Sequence, residues 1–189
     1  FNVTLSRLNA AEAESLVRLA GAREVNRIGF ARLVPCGRGK GLEGEALGID
    51  ELRHIYTRLA ALDGREGVTV TINDPLRCLL DKDNSFAGGG EDVPLGGCAA
   101  GVSGITIMPD GTVMPCRRLD LSIGNLQDSA FREIWVTSPV LEELRNRQAY
   151  SGRCGRCRLW SVCRGCRAVA RARDGGIKGH LADDPQCWL

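Results

Sequence analysis

Several things are scarce in these 189 residues. Aromatic residues make up only 5%, and no apolar run approaches the roughly 20 residues of a bilayer span, which excludes a membrane helix from the reading. The chain opens with no basic, apolar and small-residue leader, so no signal peptide is expected and a cytoplasmic setting is. Lysine occurs 3 times against 22 arginines, and histidine twice. Neither His54, beside Arg53 in a helical stretch, nor His180, in a Gly-rich loop, has a recognisable nucleophile or carboxylate partner, so a histidine-based triad is not the expectation. What is plentiful is apolar material, 43% of the chain with 25% charged residues, enough for a real core and against disorder.

Cysteine is the exception to this ordinary composition. Seven of the nine, Cys98, Cys116, Cys154, Cys157, Cys163, Cys166 and Cys187, fall in the second half. A disulfide framework belongs to small secreted scaffolds, which this chain does not resemble, so metal ligation is the better reading. The net charge of +2 hides a second local feature: nine arginines and no acid between Arg145 and Arg173. Such a block can bind nucleic acid. Because it coincides with the cysteines, charge compensation of thiolates and metal sulfide is preferred, and neither nucleic acid nor membrane is an expected partner.

Residues 1–80 read as alternating strand and helix. Val3–Ser6 is strand-like, and Asn9 with Glu12 forms a capping-box pattern before AEAESLVRLAGA. Asn26–Val34 is a second strand, apolar or small on both faces and ended by Pro35 in the loop PCGRGKGLEG. Asp50 then caps a helix with Leu52, Ile55, Tyr56, Leu59 and Leu62 at helical spacing, and Val68–Ile72 is the third strand. Three such repeats imply right-handed parallel βα units, too few for a closed barrel. Phe1 enters strand directly, so the chain reads as the later part of a larger protein.

Residues 81–97 (DKDNSFAGGGEDVPLGG) read as a linker. From Cys98, GITIMPDGTVMPC gives a β-hairpin around Pro109-Asp110-Gly111. Asp128 or Ser129 can cap a short helix through Trp135, Pro139 can open another reaching Arg147, and Cys163–Arg173 reads as helical.

The cysteine spacing carries the chemistry. It runs C-x2-C-x5-C-x2-C from Cys154, preceded by C-x12-G-x4-C from Cys98 through Gly111 to Cys116, and followed by Cys187. Two cysteines separated by two residues can clamp one soft metal from a single turn. Zinc on Cys154, Cys157, Cys163 and Cys166 and iron-sulfur assembly both satisfy the spacing, although zinc leaves the other thiols unexplained.

These residues, with Ile123 to Asn125 (IGN), Glu133 to Trp135 (EIW), CRGCRA and DPQC, resemble the SPASM domain of radical S-adenosylmethionine (SAM) enzymes. The resemblance implies an α/β fold: the C-terminal half of a partial (β/α)6 barrel in residues 1–80, the linker at 81–97, and a small α+β SPASM domain at 98–189, with its hairpin and Cys-rich helical segment. It implies two auxiliary 4Fe-4S clusters, the first on Cys98, Cys116 and Cys166 and the second on Cys154, Cys157, Cys163 and Cys187. The first lacks an evident fourth ligand; Cys78 is the nearest upstream thiol, and Asp92 or an open iron are alternatives. Cys36 has no partner at metal spacing and reads as structural.

The same resemblance implies an oxidoreductase or maturase in which a third 4Fe-4S cluster, fed by a donor such as ferredoxin or flavodoxin, cleaves SAM to a radical that takes a substrate hydrogen. The C-x3-C-x2-C motif for that cluster is absent from this sequence, so this chain alone should not cleave SAM. By position, Ser6, Arg7 and Asn9 would meet the SAM carboxylate or ribose, and Leu33 and Val34 the adenine. Each also has a plainer role, with Asn9 as a helix cap and Leu33 and Val34 as core. Gly37, Arg38 and Gly39 offer a weak anion cradle. Substrates in the family are peptides, proteins or haem-pathway tetrapyrroles; a peptide or protein is the slightly favoured expectation, although CRRL and CRGCRA also resemble the haem-pathway branch. A zinc- or nucleic-acid-binding Cys/Arg-rich module and a pure electron-transfer protein are the competing classes.

Overall fold

The computed structural model describes residues 1–81 and 92–189, so most of the expected linker lies outside the described residues. The contacts divide the chain into two units: Phe1–Lys82 with Gln186–Leu189, and Asp83–Pro185. The final four residues thus pack with the first unit, although their sequence position attaches them to the cysteine-rich segment.

In the first unit, β1 (Asn2–Leu5), β2 (Arg27–Arg32) and β3 (Thr69–Ile72) form a parallel sheet in the order β1-β2-β3. Asn2 stands beside Gly29, and Gly29 beside Thr71. The connections are helices α1 (Ala13–Ala22) and α2 (Ile49–Ala60). Each buries one stripe: Ala13, Val17 and Ala20 on α1, and Leu52, Tyr56 and Leu59 on α2. With Leu5, Ile28, Phe30, Val70 and Ile72 they form the core, where a fully buried Leu or Phe is worth about 1.5–3 kcal/mol. The sheet is not apolar on both faces as the second strand's composition suggests. Gly29 is overhung by polar side chains, and a Cβ there would lie 2.5 Å from Asn73 Nδ2 and 3.1 Å from Asn2 Oδ1.

Two expected caps are corrected. Asn9 does not cap a helix; its Oδ1 accepts from Ser6 N (2.9 Å) and its Nδ2 donates to Thr4 O (2.9 Å), which pins the turn after β1. At α2 the N-cap residue is Gly48, whose backbone N–H is met by Glu51 Oε2 at 2.7 Å, so Asp50 lies inside the first turn. A carboxylate three residues into the helix reaches back to the cap position, whereas one at the second residue does not.

The second unit is built on an antiparallel meander of β4 (Thr106–Ile107), β5 (Thr112–Met114) and β6 (Gly124–Asn125). Its hairpin turns at Pro109–Gly111, with Gly111 at φ +84° and Asp110 Oδ1 accepting from Thr112 N at 3.0 Å. α3 (Phe131–Thr137) and α4 (Pro139–Arg145) follow. α3 starts later than Asp128 or Ser129 would allow, because the N–H groups of both close a turn on Asn125 O. α4 stops at Arg145, short of Arg147, where Asn146 caps the next turn through Gln148 N. α5 (Gly152–Arg156) leads into a small core of Tyr150, Trp160 and Leu181. α6 runs Arg167–Asp174 and does not begin at Cys163. Arg164 and Gly165 take φ of +59° and +58° in succession, a conformation an α-helix cannot contain, so Cys163 to Cys166 form a loop that presents thiols.

Among the described residues no helix is long and apolar enough to cross a membrane.

Candidate metal centre

None of the nine cysteines, all among the described residues, forms a disulfide. Six lie in the second unit. Residues 95–98 run alongside residues 161–163: Leu95 N and Gly96 N donate to Ser161 O at 2.8 and 3.0 Å, and Cys98 N donates to Cys163 O at 3.0 Å. Gly97 makes that approach possible, since a Cβ at its φ of +73° would sit 2.2 Å from Cys163 O. The structure therefore brings the Cys98 segment to the Cys163 loop, and Arg164 reinforces the contact by donating through Nη2 to Cys98 O.

Three sulfur atoms accept a backbone N–H from the residue two positions on: Cys116 from Arg118 (3.5 Å), Cys157 from Leu159 (3.4 Å) and Cys163 from Gly165 (3.4 Å). N–H donors aimed at the sulfurs are among the contacts by which a protein tunes a thiolate-bound cluster. Cys154 is held differently. Burial pushes its thiol pKa up, while the nearby Arg167 guanidinium, 3.7 Å from Sγ through Nη2, pulls it down.

Two carboxylates that the sequence reading passes over fix the backbone here. Asp183 accepts from Cys154 N (2.7 Å) and Arg153 N (3.0 Å), and buried Asp184 accepts from Cys166 N (2.7 Å). Burial acts to raise the Asp183 pKa, but those two N–H bonds outweigh it and the net displacement is downward. The adjacent acids in ADDPQC were the available signal, four and three residues before Cys187.

Around the thiols lie Arg164 and Arg167, 2% and 0% exposed. Their N–H groups go to carbonyls, with Arg164 on Ser161 O and Cys98 O, and Arg167 on His180 O and Ala182 O. Neither forms an ion pair with a carboxylate among the described residues. Arg167 Nε and Trp160 Nε1 are buried donors with no acceptor.

The two remaining cysteines expected as ligands lie in the first unit. Cys78 is half-buried in the 3-10 turn Pro75–Leu80, and Cys187 is half-buried in the C-terminal tail. Asp92 is exposed and meets Arg147 Nη1 at 3.5 Å. Among the described residues, no three His, Cys, Asp or Glu side chains are gathered at ligation distance.

The residues expected to meet SAM all follow the carboxyl ends of parallel strands: Ser6, Arg7 and Asn9 after β1, and Leu33 and Val34 after β2. Ser6, Leu33 and Val34 are buried. Arg7 is exposed and engaged by the Gly-rich segment, with Nη1 donating to Gly44 O at 3.2 Å and Nε 3.7 Å from Glu51 Oε2. His180, which has no evident partner in sequence, is buried and meets Glu143 Oε2 at 3.2 Å, while His54 is exposed on α2.

Comparison with known proteins gives the arrangement its class. Residues 98–167 match SPASM, described as an iron-sulfur cluster-binding domain. The AdoMet-dependent heme synthase of Nitratidesulfovibrio vulgaris is 29% identical over 98% of this chain and 52% of its own length. A PqqA peptide cyclase of Methylobacterium nodulans is 32% identical over 45% of this chain and 23% of its own. Among solved structures, Streptococcus suis SuiB has a TM-score of 0.68 at 15% identity, covering 100% of this chain and 45% of that one, a likeness of fold. The chain carries a SPASM match and is similar, along nearly its whole length, to radical SAM enzymes that have this domain. Within them it corresponds to the C-terminal portion, spanning about half the length of the curated relatives matched along its whole length.

The residues fit an iron-sulfur group. The donor set is thiol throughout, three sulfurs already receive N–H bonds, and two buried guanidiniums lack the ion-pair partners that buried charges need. An anionic thiolate cluster held by these cysteines would supply negative charge beside the two guanidiniums. When bound, such a group carries single electrons, while this chain's residues shield it from water and set the charge around it.

Proposed function

We propose that this chain is the part of a radical SAM and SPASM maturase that binds two auxiliary 4Fe-4S clusters. Cys98, Cys116 and Cys166, with Cys78 as fourth ligand, take the first; Cys154, Cys157, Cys163 and Cys187 take the second. The observation that carries this reading is the pair of buried guanidiniums, Arg164 and Arg167, set among N–H-bonded sulfurs without ion-pair partners. Six of the proposed ligands share the second unit, and the ligand set itself rests on spacing and resemblance.

The substrate class is a tetrapyrrole of the haem pathway. Similarity to the heme synthase extends over 98% of this chain, whereas the peptide cyclase matches 45% of it. Ser6, Arg7, Asn9, Leu33 and Val34 would contribute SAM contacts from the strand ends, with a third cluster bound elsewhere in the complete enzyme and reduced by a ferredoxin or flavodoxin. Without a C-x3-C-x2-C motif this portion alone does not cleave SAM.

Anaerobic purification of the portion followed by iron, sulfide and zinc analysis tests the cluster reading. About eight iron and as many sulfides per chain are expected for two cubanes. Zinc without sulfide would overturn it in favour of a zinc module. In the complete enzyme, SAM-dependent turnover of a peptide but of no iron porphyrin would overturn the substrate assignment.

A further inference from the structure

Arg32, the last residue of β2, is 2% exposed, and its guanidinium is shared between two segments of the first unit. Nε donates to Asp74 Oδ2 at 2.7 Å, and Nη1 donates to Gln186 Oε1 at 2.9 Å, across 154 residues of sequence. Both acceptors have second duties. Asp74 Oδ1 accepts from Leu76 N at 2.8 Å and so caps the turn Pro75–Leu80, on which Cys78 sits. Gln186 Nε2 donates to Leu47 O at 2.8 Å, and the next residue but one, Trp188, packs edge-on against buried Tyr56 with ring centroids 6.4 Å apart. Cys187 stands between these two anchors.

We propose that Arg32 is a positioning residue for auxiliary-cluster ligation, holding the Cys187 segment through Gln186 and the Cys78 turn through Asp74. The proposal rests on the ligand set given above, in which Cys187 serves one cluster and Cys78 the other. Cys187 is only half-buried, so burial alone does not fix it. Two hydrogen bonds at one buried glutamine, one accepted from Arg32 and one donated to Leu47 O, with an aromatic contact on the other side of the cysteine, restrict that freedom. Arginine suits the role because its planar fork can meet a carboxylate and an amide oxygen in different directions at once, which a lysine cannot reproduce.

The test compares Gln186→Ala, Arg32→Met, Cys187→Ala and wild type in the complete protein purified without oxygen. Iron and sulfide content and the electron paramagnetic resonance of the dithionite-reduced clusters are the readouts, and circular dichroism checks the fold. Gln186→Ala removes the tail's bond to Arg32 and leaves Asp74 paired. It should reproduce the Cys187→Ala spectrum in part, with loss or broadening of one auxiliary signal and up to about four of about eight iron atoms. Arg32→Met should disturb both signals. Full iron content and an unaltered spectrum in folded Gln186→Ala overturn the proposal. A Cys187→Ala protein with wild-type clusters would instead overturn the ligand set, so the two failures are distinguishable.

Discussion

Gly165 and Gly175 offer a comparison in which the backbone strain is the same and the surroundings differ. Both take left-handed φ, +58° and +68°. At Gly175, which closes α6, an added Cβ meets nothing within 4 Å. At Gly165 it would lie 2.6 Å from Asp184 Cβ, 2.8 Å from Arg167 Nη2 and 3.0 Å from Asp184 Oδ2, among groups that are fully buried. Alanine at either site incurs about 1–2 kcal/mol for the left-handed conformation. Gly165→Ala adds about 1–3 kcal/mol of overpacking, because the Asp184 Cβ can yield only if its carboxylate leaves the Cys166 N–H, now 2.7 Å away. At about 2–4 °C per kcal/mol for a chain of this size, Gly175→Ala should lower Tm by about 2–8 °C and Gly165→Ala by about 4–20 °C. Differential scanning calorimetry of the two variants, with iron analysis in parallel, reads this directly. Gly165→Ala should also lose iron while Gly175→Ala keeps it. Equal Tm depressions and equal iron in the two proteins would refute the claim that the Cys163–Cys166 loop is locked by Asp184 and Arg167.

Replacing Arg167 with Gln removes a positive charge beside Cys154 and disfavours the more negative reduced cluster. The auxiliary midpoint potential should fall, a tenfold drop in the reduced-to-oxidised ratio corresponding to about 59 mV for one electron; protein electrochemistry showing no shift would count against the assignment. Tyr150 donates to Leu144 O at 2.9 Å, and burial pushes its pKa up to about 12. Tyr150→Phe leaves that carbonyl unmet and should cost about 1–3 kcal/mol in chemical denaturation. Acid should weaken the second unit in two stages. Burial lowers the His180 pKa, so stability is full above the ordinary histidine value and declines as pH falls below it. The hydrogen bond from Lys178 holds the Glu143 carboxyl below its usual range, so that contribution is lost only as pH falls past the carboxylate range. Denaturation midpoints against pH should lose the upper stage in His180→Gln and the lower one in Glu143→Gln.

Most of the architecture is legible in the sequence because it rests on local periodicity. The three parallel strands and two amphipathic helices follow from apolar spacing, and the hairpin from Pro109-Asp110-Gly111. What was not legible depends on pairs distant in the chain. The helix expected from Cys163 begins at Arg167 because the backbone at Arg164 and Gly165 turns left-handed to meet Asp184, and composition alone does not announce a positive φ on arginine. The expected caps differ for a local reason instead: Asn9 is drawn back to Thr4 and Ser6 by the turn after β1, and at α2 it is Glu51, not Asp50, that meets the Gly48 N–H. At the candidate centre, spacing singles out the thiols as candidate ligands. It was silent on Asp183 and Asp184, which fix the backbone of Cys154 and Cys166, and on Arg32, whose partner Gln186 is 154 residues away.

The fate of the nine arginines between 145 and 173 bears on what that block is for. A nucleic-acid surface needs its guanidiniums at the surface, free to meet phosphates. Arg164 and Arg167 are buried, and Arg145 and Arg147 are turned inward onto carbonyls of Gly101, Trp135, Gly155 and Cys157. Arg145 also lies 4.3 Å from the Trp135 ring centroid. Four of the nine are therefore committed to the interior of the unit, and those four bracket the thiol loops. Burying a guanidinium without an ion-paired carboxylate is costly unless another anion is close; beside Asp183 and Asp184, which are bonded to backbone N–H groups, thiolates carrying the proposed cluster would supply that anion. On the proposed cluster reading, the arginine excess and the cysteine excess meet one electrostatic requirement, which would account for their sharing one stretch of sequence.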